Sequence, residues 1–198
     1  MPDRRPQLAD AGVRLIARGG IRALTHRAVD AEAGLPAGST SYYARTRREL
    51  TALVVDRITE ELTIDLDDLA VPTSLDDDDV IAIAVGFLDR LAARRDAQAA
   101  RFALLFELAD DEALRATLTA ADPVRSDLDA VAASLLRAID VVDAEVAAVD
   151  LVGLIDALLL YRTAAAGPVD AGRVLAAHVR GLPRTGRPTG DRTGDERP

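Results

Sequence analysis

The stretch that decides the fold is ALTHRAVDAEAGLPAGSTSYYARTRREL, residues 23–50. It predicts two short helices joined by Ala33-Gly34-Leu35, because glycine tolerates a left-handed turn. Thr25 is the expected N-cap of the first helix, and the second restarts at Pro36 and holds residues 37–43. This is the pattern of a helix-turn-helix, although helical hairpins with a glycine turn also occur in proteins that never contact DNA.

The flanking sequence extends the helical pattern on both sides. A first helix is expected over 6–18, where apolar residues share one face. Thr46 and Glu49 have the spacing of a capping box, in which each side chain accepts a hydrogen bond from the other residue's backbone N–H. A long fourth helix should follow with apolar residues at helical spacing over 50–69, and Pro72-Thr73-Ser74 should end it.

Six further helices are expected, over 77–93, 97–109, 112–120, 123–139, 144–165 and 170–180. Asp122 is the expected N-cap of the helix at 123–139. The acidic run Asp76–Asp79 favours a helix start over a calcium loop, since it lacks the spaced oxygen ligands and central glycine of an EF-hand. Residues 183–198 are rich in Pro, Gly, Thr and charge, which predicts a disordered tail.

Composition supports an all-α fold and excludes several classes of site. The chain has 198 residues, is 49% hydrophobic and only 3% aromatic, and has no cysteine. All 24 basic residues are arginine, so a P-loop lysine and Schiff-base chemistry are excluded, and no catalytic set or cofactor site is visible. No stretch resembles a signal peptide or membrane span, so we expect a soluble cytoplasmic protein that is not an enzyme and does not contact membranes.

Charge is distributed unevenly along the chain. The net charge is -9, yet residues 1–60 contain ten arginines against seven acidic residues and are mildly basic. The acidic excess therefore lies in the remainder. A basic head on an acidic body suits a protein that presents one end to phosphates.

The segment 8–50 resembles the DNA-binding domain of the TetR family of transcriptional regulators. The resemblance rests on ALT at 23–25, AEAGLPAGSTSYY at 31–43 and TRREL at 46–50, in the family's order and spacing. It implies a three-helix head at 1–50, a linking fourth helix that opens a helical ligand-binding and dimerisation domain at 51–182, and the tail at 183–198. It also implies binding to a palindromic double-stranded DNA operator as a homodimer.

The same resemblance assigns contact roles within the head. The second helix would meet phosphate at its start, and Arg27 would reach a guanine edge. The third helix would present small side chains to the bases and tyrosines to the backbone, and Arg47 would hold phosphate. The predicted DNA-binding residues are Thr25, His26, Arg27, Ala37, Ser39, Thr40, Ser41, Tyr42, Tyr43 and Arg47. Structural alternatives stay open, among them an ordinary helix cap for Ser39 and core packing for either tyrosine.

Two positions depart from the family pattern. Asp30 stands where a small packed residue is usual, so it should turn outward or pair with an arginine. Ala44 stands where a large apolar side chain is usual, and this should loosen the small core of the head. Both departures favour an alternative function, a helical protein-interaction module whose head does not bind DNA.

For the body, the resemblance implies a small-molecule pocket and a four-helix dimer interface. The pocket residues expected for a largely apolar effector are Phe87, Arg101, Phe102, Phe106, Asp156 and Tyr161. The interface residues expected on the penultimate helix are Gly153, Leu154, Ala157 and Leu158. The leading hypothesis is therefore a ligand-responsive DNA-binding transcriptional regulator that is expected to act as a repressor.

Overall fold

The computed structural model describes residues 3–67, 69, 72, 74–119 and 123–185, with the backbone alone for Asp67. Ten α-helices follow one another in this part of the chain, and it contains no β-strand. They are α1 Arg5–Gly19, α2 His26–Glu32, α3 Ser39–Tyr43, α4 Arg47–Asp67, α5 Asp77–Ala93, α6 Arg95–Glu107, α7 Glu112–Ala116, α8 Pro123–Ala138, α9 Ala144–Thr163 and α10 Ala171–Gly181. The predicted all-α class is confirmed.

Two predicted helix caps in the head are confirmed. Thr25 Oγ1 accepts a 3.2 Å hydrogen bond from the backbone N–H of Ala28 at the start of α2. At the start of α4, the Glu49 N–H donates to Thr46 Oγ1 and the Thr46 N–H donates to Glu49 Oε2, both at 3.1 Å. This reciprocal pair satisfies backbone donors that a helix start would otherwise leave free.

The acidic run before α5 also begins a helix, as predicted. Asp76 Oδ1 accepts from the Asp79 N–H at 2.9 Å, and Asp79 Oδ2 accepts from the Asp76 N–H at 3.0 Å. The predicted cap Asp122, like Thr73, lies outside the described residues.

The predicted helices differ from the observed ones most clearly at α3 and α7. α3 begins at Ser39 rather than near Pro36, because Gly38 has φ of 91°, a left-handed conformation that interrupts any earlier helix. A single 3-10 turn, Ile21–Ala23, lies between α1 and α2, where no helix was predicted. In the body α7 ends at Ala116, shorter than predicted.

The described residues form two hydrophobic cores. The first, the head core, joins α1, α2 and α4 and extends into α6 and α7, where Ala97, Leu104 and Leu114 are buried members. α1 lies very close to α4, since a Cβ added at Gly12 would stand 2.4 Å from Val54 Cγ2. The head is therefore packed onto the body through α6 rather than tethered by α4 alone.

The second core, the body core, is built from α5, α8, α9 and α10. The chain after α10 adds to it: the Val142 N–H donates to the Pro183 carbonyl at 2.9 Å, and the Thr185 N–H donates to the Asp140 carbonyl at 2.8 Å. The first residues of the predicted tail are thus pinned to the turn before α9, while 186–198 lie outside the described residues. Among the described helices, none combines the length and apolarity needed to cross a membrane.

Candidate nucleic-acid interface and internal cavity

The start of α3 is held by a buried carboxylate from α2. Asp30 Oδ2 accepts from the Gly38 N–H at 2.7 Å, and Asp30 Oδ1 accepts from the Thr40 N–H at 2.7 Å and from the Thr40 hydroxyl at 2.5 Å. Asp30 is only 3% exposed. Both sequence-based expectations for this residue, an outward side chain or an arginine partner, are therefore wrong. A carboxylate that accepts several N–H or O–H donors is satisfied without a cation.

The same hydrogen bonds determine the acidity of Asp30. Burial on its own would raise the pKa of this carboxyl, but the hydrogen bonds from Thr40 and Gly38, helped by the nearby His26, more than offset that effect. The pKa of Asp30 is consequently lower than usual, and the ionised form is the one that caps α3.

Thr40 does not face the bases, contrary to prediction. Its side chain is fully buried because its hydroxyl donates to Asp30 inside the head. Ser39 is half-buried, and its hydroxyl donates to the Pro36 carbonyl at 2.6 Å; because the N-cap of α3 is Gly38, Ser39 is not the ordinary helix cap that was left open for it. The inner side of α3 is therefore polar and its contacts are made within the head.

The outer side of α3 and the start of α2 form an exposed face, defined here as the head face and made of Thr25, Arg27, Ala37, Ser41 and Tyr42. Tyr42 is 82% exposed, and its ring meets that of Tyr43 edge-to-face at 5.1 Å between centroids. Tyr43 is half-buried and packs against the head core. The five exposed residues all belong to the predicted DNA-binding set.

His26 and Arg47, also in that set, have partners within the head. His26 Nε2 lies 2.9 Å from the Ala44 carbonyl oxygen. The Arg47 guanidinium donates to the Ile21 carbonyl at 2.8 Å and to the Leu24 carbonyl at 3.4 Å, which ties α4 to the 3-10 turn. Arg47 is exposed, so its position beside the helix start still allows a phosphate to approach.

Ala44 closes the head core from the end of α3. It is 1% exposed and belongs to the head core. The expected loosening is countered locally, because the Ala44 carbonyl is held by His26 and the next residues enter the capping box of α4. A small side chain here is compatible with a closed head.

An internal cavity lies between α4, α5, α6, α8 and α9, beside the turn after α7. The volume of this cavity is about 50 Å³. Of the predicted pocket residues, Phe87, Arg101 and Asp156 line it. Residues that the sequence did not single out complete the polar part of the wall, namely Thr59, Glu61, Asp65, Arg94, Gln98, Thr117, Thr119 and Arg125.

The other three predicted pocket residues are not on this wall. Phe102 is buried in the body core, with the Arg101 guanidinium 5.1 Å from its ring centre. Phe106 is 76% exposed and is next to the last residue of α6. Tyr161 is 41% exposed and lies beside Gly167, at the end of α9. The presence of an aromatic side chain was therefore not enough to predict which residues line the cavity.

Three arginines reach the cavity wall, and each has an anionic or carbonyl partner. Arg101 donates to both oxygens of Asp156, at 3.0 and 3.1 Å, and Arg125 donates to Asp156 Oδ2 at 2.5 Å. Arg94 donates to the Glu61 carbonyl at 2.8 Å and lies 3.0 Å from Asp65 Oδ1. Arg101 and Asp156, both predicted as pocket residues, are paired with each other.

α9 carries an exposed apolar stripe, formed by Val142 just before it and by Val146, Val149, Gly153, Ala157 and Leu160 along it. The predicted interface residues Gly153 and Ala157 lie on this stripe, and Leu154 is half-buried beside it. Leu158 is instead buried in the body core, since the helical phase turns it inward. Its assignment to the interface is wrong.

Comparison with known proteins decides the family. A family model described as tetracyclin repressor-like, C-terminal domain, matches residues 75–185, more than half of the chain. The chain belongs to the TetR family. Members of this family are ligand-responsive transcriptional regulators and are not enzymes. The resemblance of the head and the family of the body therefore agree, although they rest on different segments.

Solved structures of TetR-type proteins have the same fold. A TetR-like transcriptional regulator from Rhodococcus sp. RHA1 is 22% identical with a TM-score of 0.69, covering 91% of this chain and 96% of its own. A TetR-family protein from Streptomyces coelicolor A3 is 24% identical with a TM-score of 0.64, covering 92% and 99%. The multidrug-binding protein EbrR, in complex with ethidium, is 26% identical with a TM-score of 0.67, covering 91% and 99%. No curated protein sequence matches the chain.

Proposed function

We propose that this TetR-family protein is a cytoplasmic repressor that binds a palindromic operator as a homodimer and releases it when a largely apolar small molecule enters the internal cavity. The observation that carries the proposal is the head face. Arg27, Ser41 and Tyr42 are exposed on two helices whose relative position is held by the buried Asp30. Exposed polar residues on a rigid helix are what a major groove requires for base readout.

The face has a free cation at the place where a base contact is proposed. Arg27 is exposed, and no hydrogen bond or ion pair ties its guanidinium to other residues in the described part of the chain. Its fork of donors is available to guanine O6 and N7. Arg47 and the N–H groups at the start of α2 serve the phosphates. The role of α3 is then to place Ser41 and Tyr42 against the duplex.

Dimerisation is supported by the apolar stripe on α9. Val146 and Val149 are more than half exposed, and small residues at 153 and 157 leave room for a second helix to approach. Burying such a stripe against its symmetry mate stabilises a two-fold dimer. Two heads related in this way reach successive major grooves, about 34–36 Å apart, and a palindrome is the matching DNA.

Ligand response is supported by residues shared between the cavity and the head core. Ile58, Ala97 and Leu118 line the cavity and are also members of the head core. A ligand that displaces this wall must therefore move side chains that pack against α1 and α4. EbrR has been solved in complex with ethidium and with proflavin, and this chain is likewise proposed to bind a small-molecule effector.

The alternative function, an interaction module without DNA binding, was motivated by Asp30 and Ala44. Both are accommodated within the head, one as a helix cap and one as a core residue. Neither supplies a reason for the head to lose DNA binding. No described feature now favours this alternative over the repressor.

Selection of bound fragments from random DNA tests the proposal. We expect a palindrome whose half-sites are about one helical turn apart. The double variant Arg27→Ala, Tyr42→Ala should select nothing under the same conditions, whereas Arg115→Ala, an exposed arginine of α7, should select the same palindrome. Failure of the unaltered chain to enrich any sequence would contradict the proposal.

A further inference from the structure

The cavity wall contains arginine donors that are already engaged, an amide oxygen that is not, and one carboxylate held only by long ion pairs. Among the wall residues, three arginines face three acidic side chains, so their formal charges balance. Arg94, Arg101 and Arg125 each donate to a carboxylate or carbonyl of the protein. One arginine nitrogen, Arg125 Nε, makes no hydrogen bond, but it lies 3.6 Å from the Asp129 carboxylate, which balances its charge. A ligand anion would have to compete with these pairs.

Gln98 provides the first unengaged acceptor. It lines the cavity from α6, one turn before Arg101, and it is only 6% exposed. Its Oε1 has no hydrogen-bond partner among the described residues. A buried amide oxygen without a partner costs free energy that a ligand donor would recover.

Glu61 provides the second acceptor, which is held only by long ion pairs. This residue lines the cavity from α4, and its carboxylate accepts no hydrogen bond within the described part of the chain. The nearest cations are Arg57 and Arg94, at 3.4 and 3.7 Å, both beyond good hydrogen-bond distance. Burial raises the pKa of Glu61, and these two arginines only partly offset that effect. A closer cation would therefore stabilise its ionised form.

We propose that the effector is an apolar amine, whose N–H groups donate to Gln98 Oε1 and to the Glu61 carboxylate while its hydrocarbon part packs on the apolar wall. That part of the wall is formed by Phe87, Leu91, Leu128, Val152 and Ile155. The inference rests on the proposed function only in treating the cavity as the effector site. It names the chemical class of the ligand, which the proposed function left at largely apolar.

The cavity must widen to admit such a molecule. Pockets for drug-sized ligands typically measure about 300–1,000 Å³, whereas this cavity measures about 50 Å³. The ligand therefore displaces wall side chains. Gln98 lies on α6 and Glu61 on α4. Both of these cavity-lining helices also contribute residues to the head core.

Three probes of matched shape test the ligand class: 1-naphthylmethylamine, 1-naphthoate and 1-methylnaphthalene. Calorimetric titration of the full chain should show the amine binding at least tenfold more tightly than either of the other two. Preference for the carboxylate would overturn the proposal, since it would show that the arginines or the amide N–H groups recognise the ligand. Equal affinities, or no binding of any probe at millimolar concentration, would also overturn it.

Single substitutions test whether Gln98 and Glu61 are the two groups that accept from the amine. Gln98→Leu should weaken the amine at least tenfold and leave 1-methylnaphthalene unchanged or tighter. Glu61→Gln should weaken the amine while its own melting temperature stays near that of the unaltered chain. Thr119→Val is the matched control, because this wall hydroxyl already donates to the Ala116 carbonyl. An amine affinity that is the same in Gln98→Leu as in the control would contradict the assignment.

Operator binding measured on the same preparations separates the two proposals. Loss of amine binding with operator binding intact would refute the ligand class alone. Amine binding by a chain that selects no operator would refute the proposed function and leave the cavity chemistry standing.

Discussion

Asp30 and Thr40 form a buried polar pair between α2 and α3, in a place where two apolar side chains would fill the same space. Asp30 accepts three hydrogen bonds, one from the N–H of Gly38, the N-cap of α3, and two from Thr40 within this helix of only five residues. So short a helix is not stable by itself, and its order depends on contacts with the rest of the head. The start of α3, the helix proposed to face the bases, is therefore held in place by one carboxylate.

Asp30→Ala should destabilise the chain by about 2–3 kcal/mol and weaken operator binding at every sequence, because Gly38 and Thr40 lose their buried acceptor. Chemical denaturation and operator titration measure the two effects. Asp76→Ala, which removes the cap of α5 in the body, is the control and should lower stability without changing operator affinity. Adding Thr40→Leu to Asp30→Ala should restore part of the stability, since an apolar pair leaves no side-chain donor unmatched.

Asp30 should also make the stability of the head depend on pH. Its pKa is lower in the folded chain than its ordinary value of 3.8. The ionised form is thus favoured by folding, so the stabilisation is complete above that value and is lost as the pH falls through the folded pKa. Denaturation midpoints between about pH 5 and pH 2 should fall less steeply in Asp30→Asn than in the unaltered chain. Parallel profiles would contradict this role.

Arg27 and Arg47 should differ in what they contribute to operator binding. Arg27→Ala should cost about 1–3 kcal/mol and relax the preference at one base position. Arg47→Ala should weaken all sequences alike and also lower stability, because it releases the Ile21 and Leu24 carbonyls. Binding measured over a library of single-base operator variants distinguishes the two. A base-specific change in Arg47→Ala would show that the phosphate assignment is wrong.

Among the helices, α9 has two apolar sides. Its inner side builds the body core, and its outer side is the exposed stripe. Val149→Glu should place an unpaired charge in the proposed interface and convert the dimer to a monomer at low micromolar concentration, as measured by sedimentation. Phe106→Glu, which alters an exposed apolar side chain of α6, should leave the dimer intact. A Val149→Glu chain that still sediments as a dimer would place the interface elsewhere.

Helices and their caps could be predicted from the sequence because both depend on local signals. The apolar spacing placed α5 at its observed bounds, and the pairs Thr46–Glu49 and Thr25–Ala28 formed as expected. α3 was misplaced at its start, since its cap comes from Asp30, eight to ten residues earlier in the chain. When the capping residue is distant in the sequence, the residues at the helix start carry no signal from which the start could be predicted.

The cavity wall was harder to predict, because it depends on how helices rotate against one another. Phe106 and Phe102 lie on the same helix as Gln98, yet only Gln98 reaches the cavity. Which side chains reach the wall depends on how each helix is rotated about its axis and on the angles at which the helices cross. Neither quantity can be obtained from the sequence alone. The polar residues of the wall come from four different helices, and their pairing appears only when those helices are packed.

For the whole molecule, the decisive feature is that the two cores meet at α6. Residues of this helix line the cavity and also pack against α1. A ligand that favours one arrangement of α6 can therefore bias the position of the heads. A shift from mostly bound to mostly released requires a difference in affinity of about 5.5 kcal/mol between the two arrangements.

Reciprocity gives this coupling a direct test. Operator DNA must weaken ligand binding by the same factor by which the ligand weakens operator binding. Titration of 1-naphthylmethylamine with and without saturating operator should give clearly different affinities. Equal affinities would show that the cavity does not communicate with the heads.

The central claim, a two-fold dimer that reads a palindrome, is tested most directly by the mass of the complex. The selected palindrome and a duplex that keeps only one half-site would each be titrated with the full chain in the analytical ultracentrifuge. The account predicts two protomers, each of 21.0 kDa, on the palindrome and a much weaker complex with the half-site. One protomer bound with equal affinity to both duplexes would contradict it.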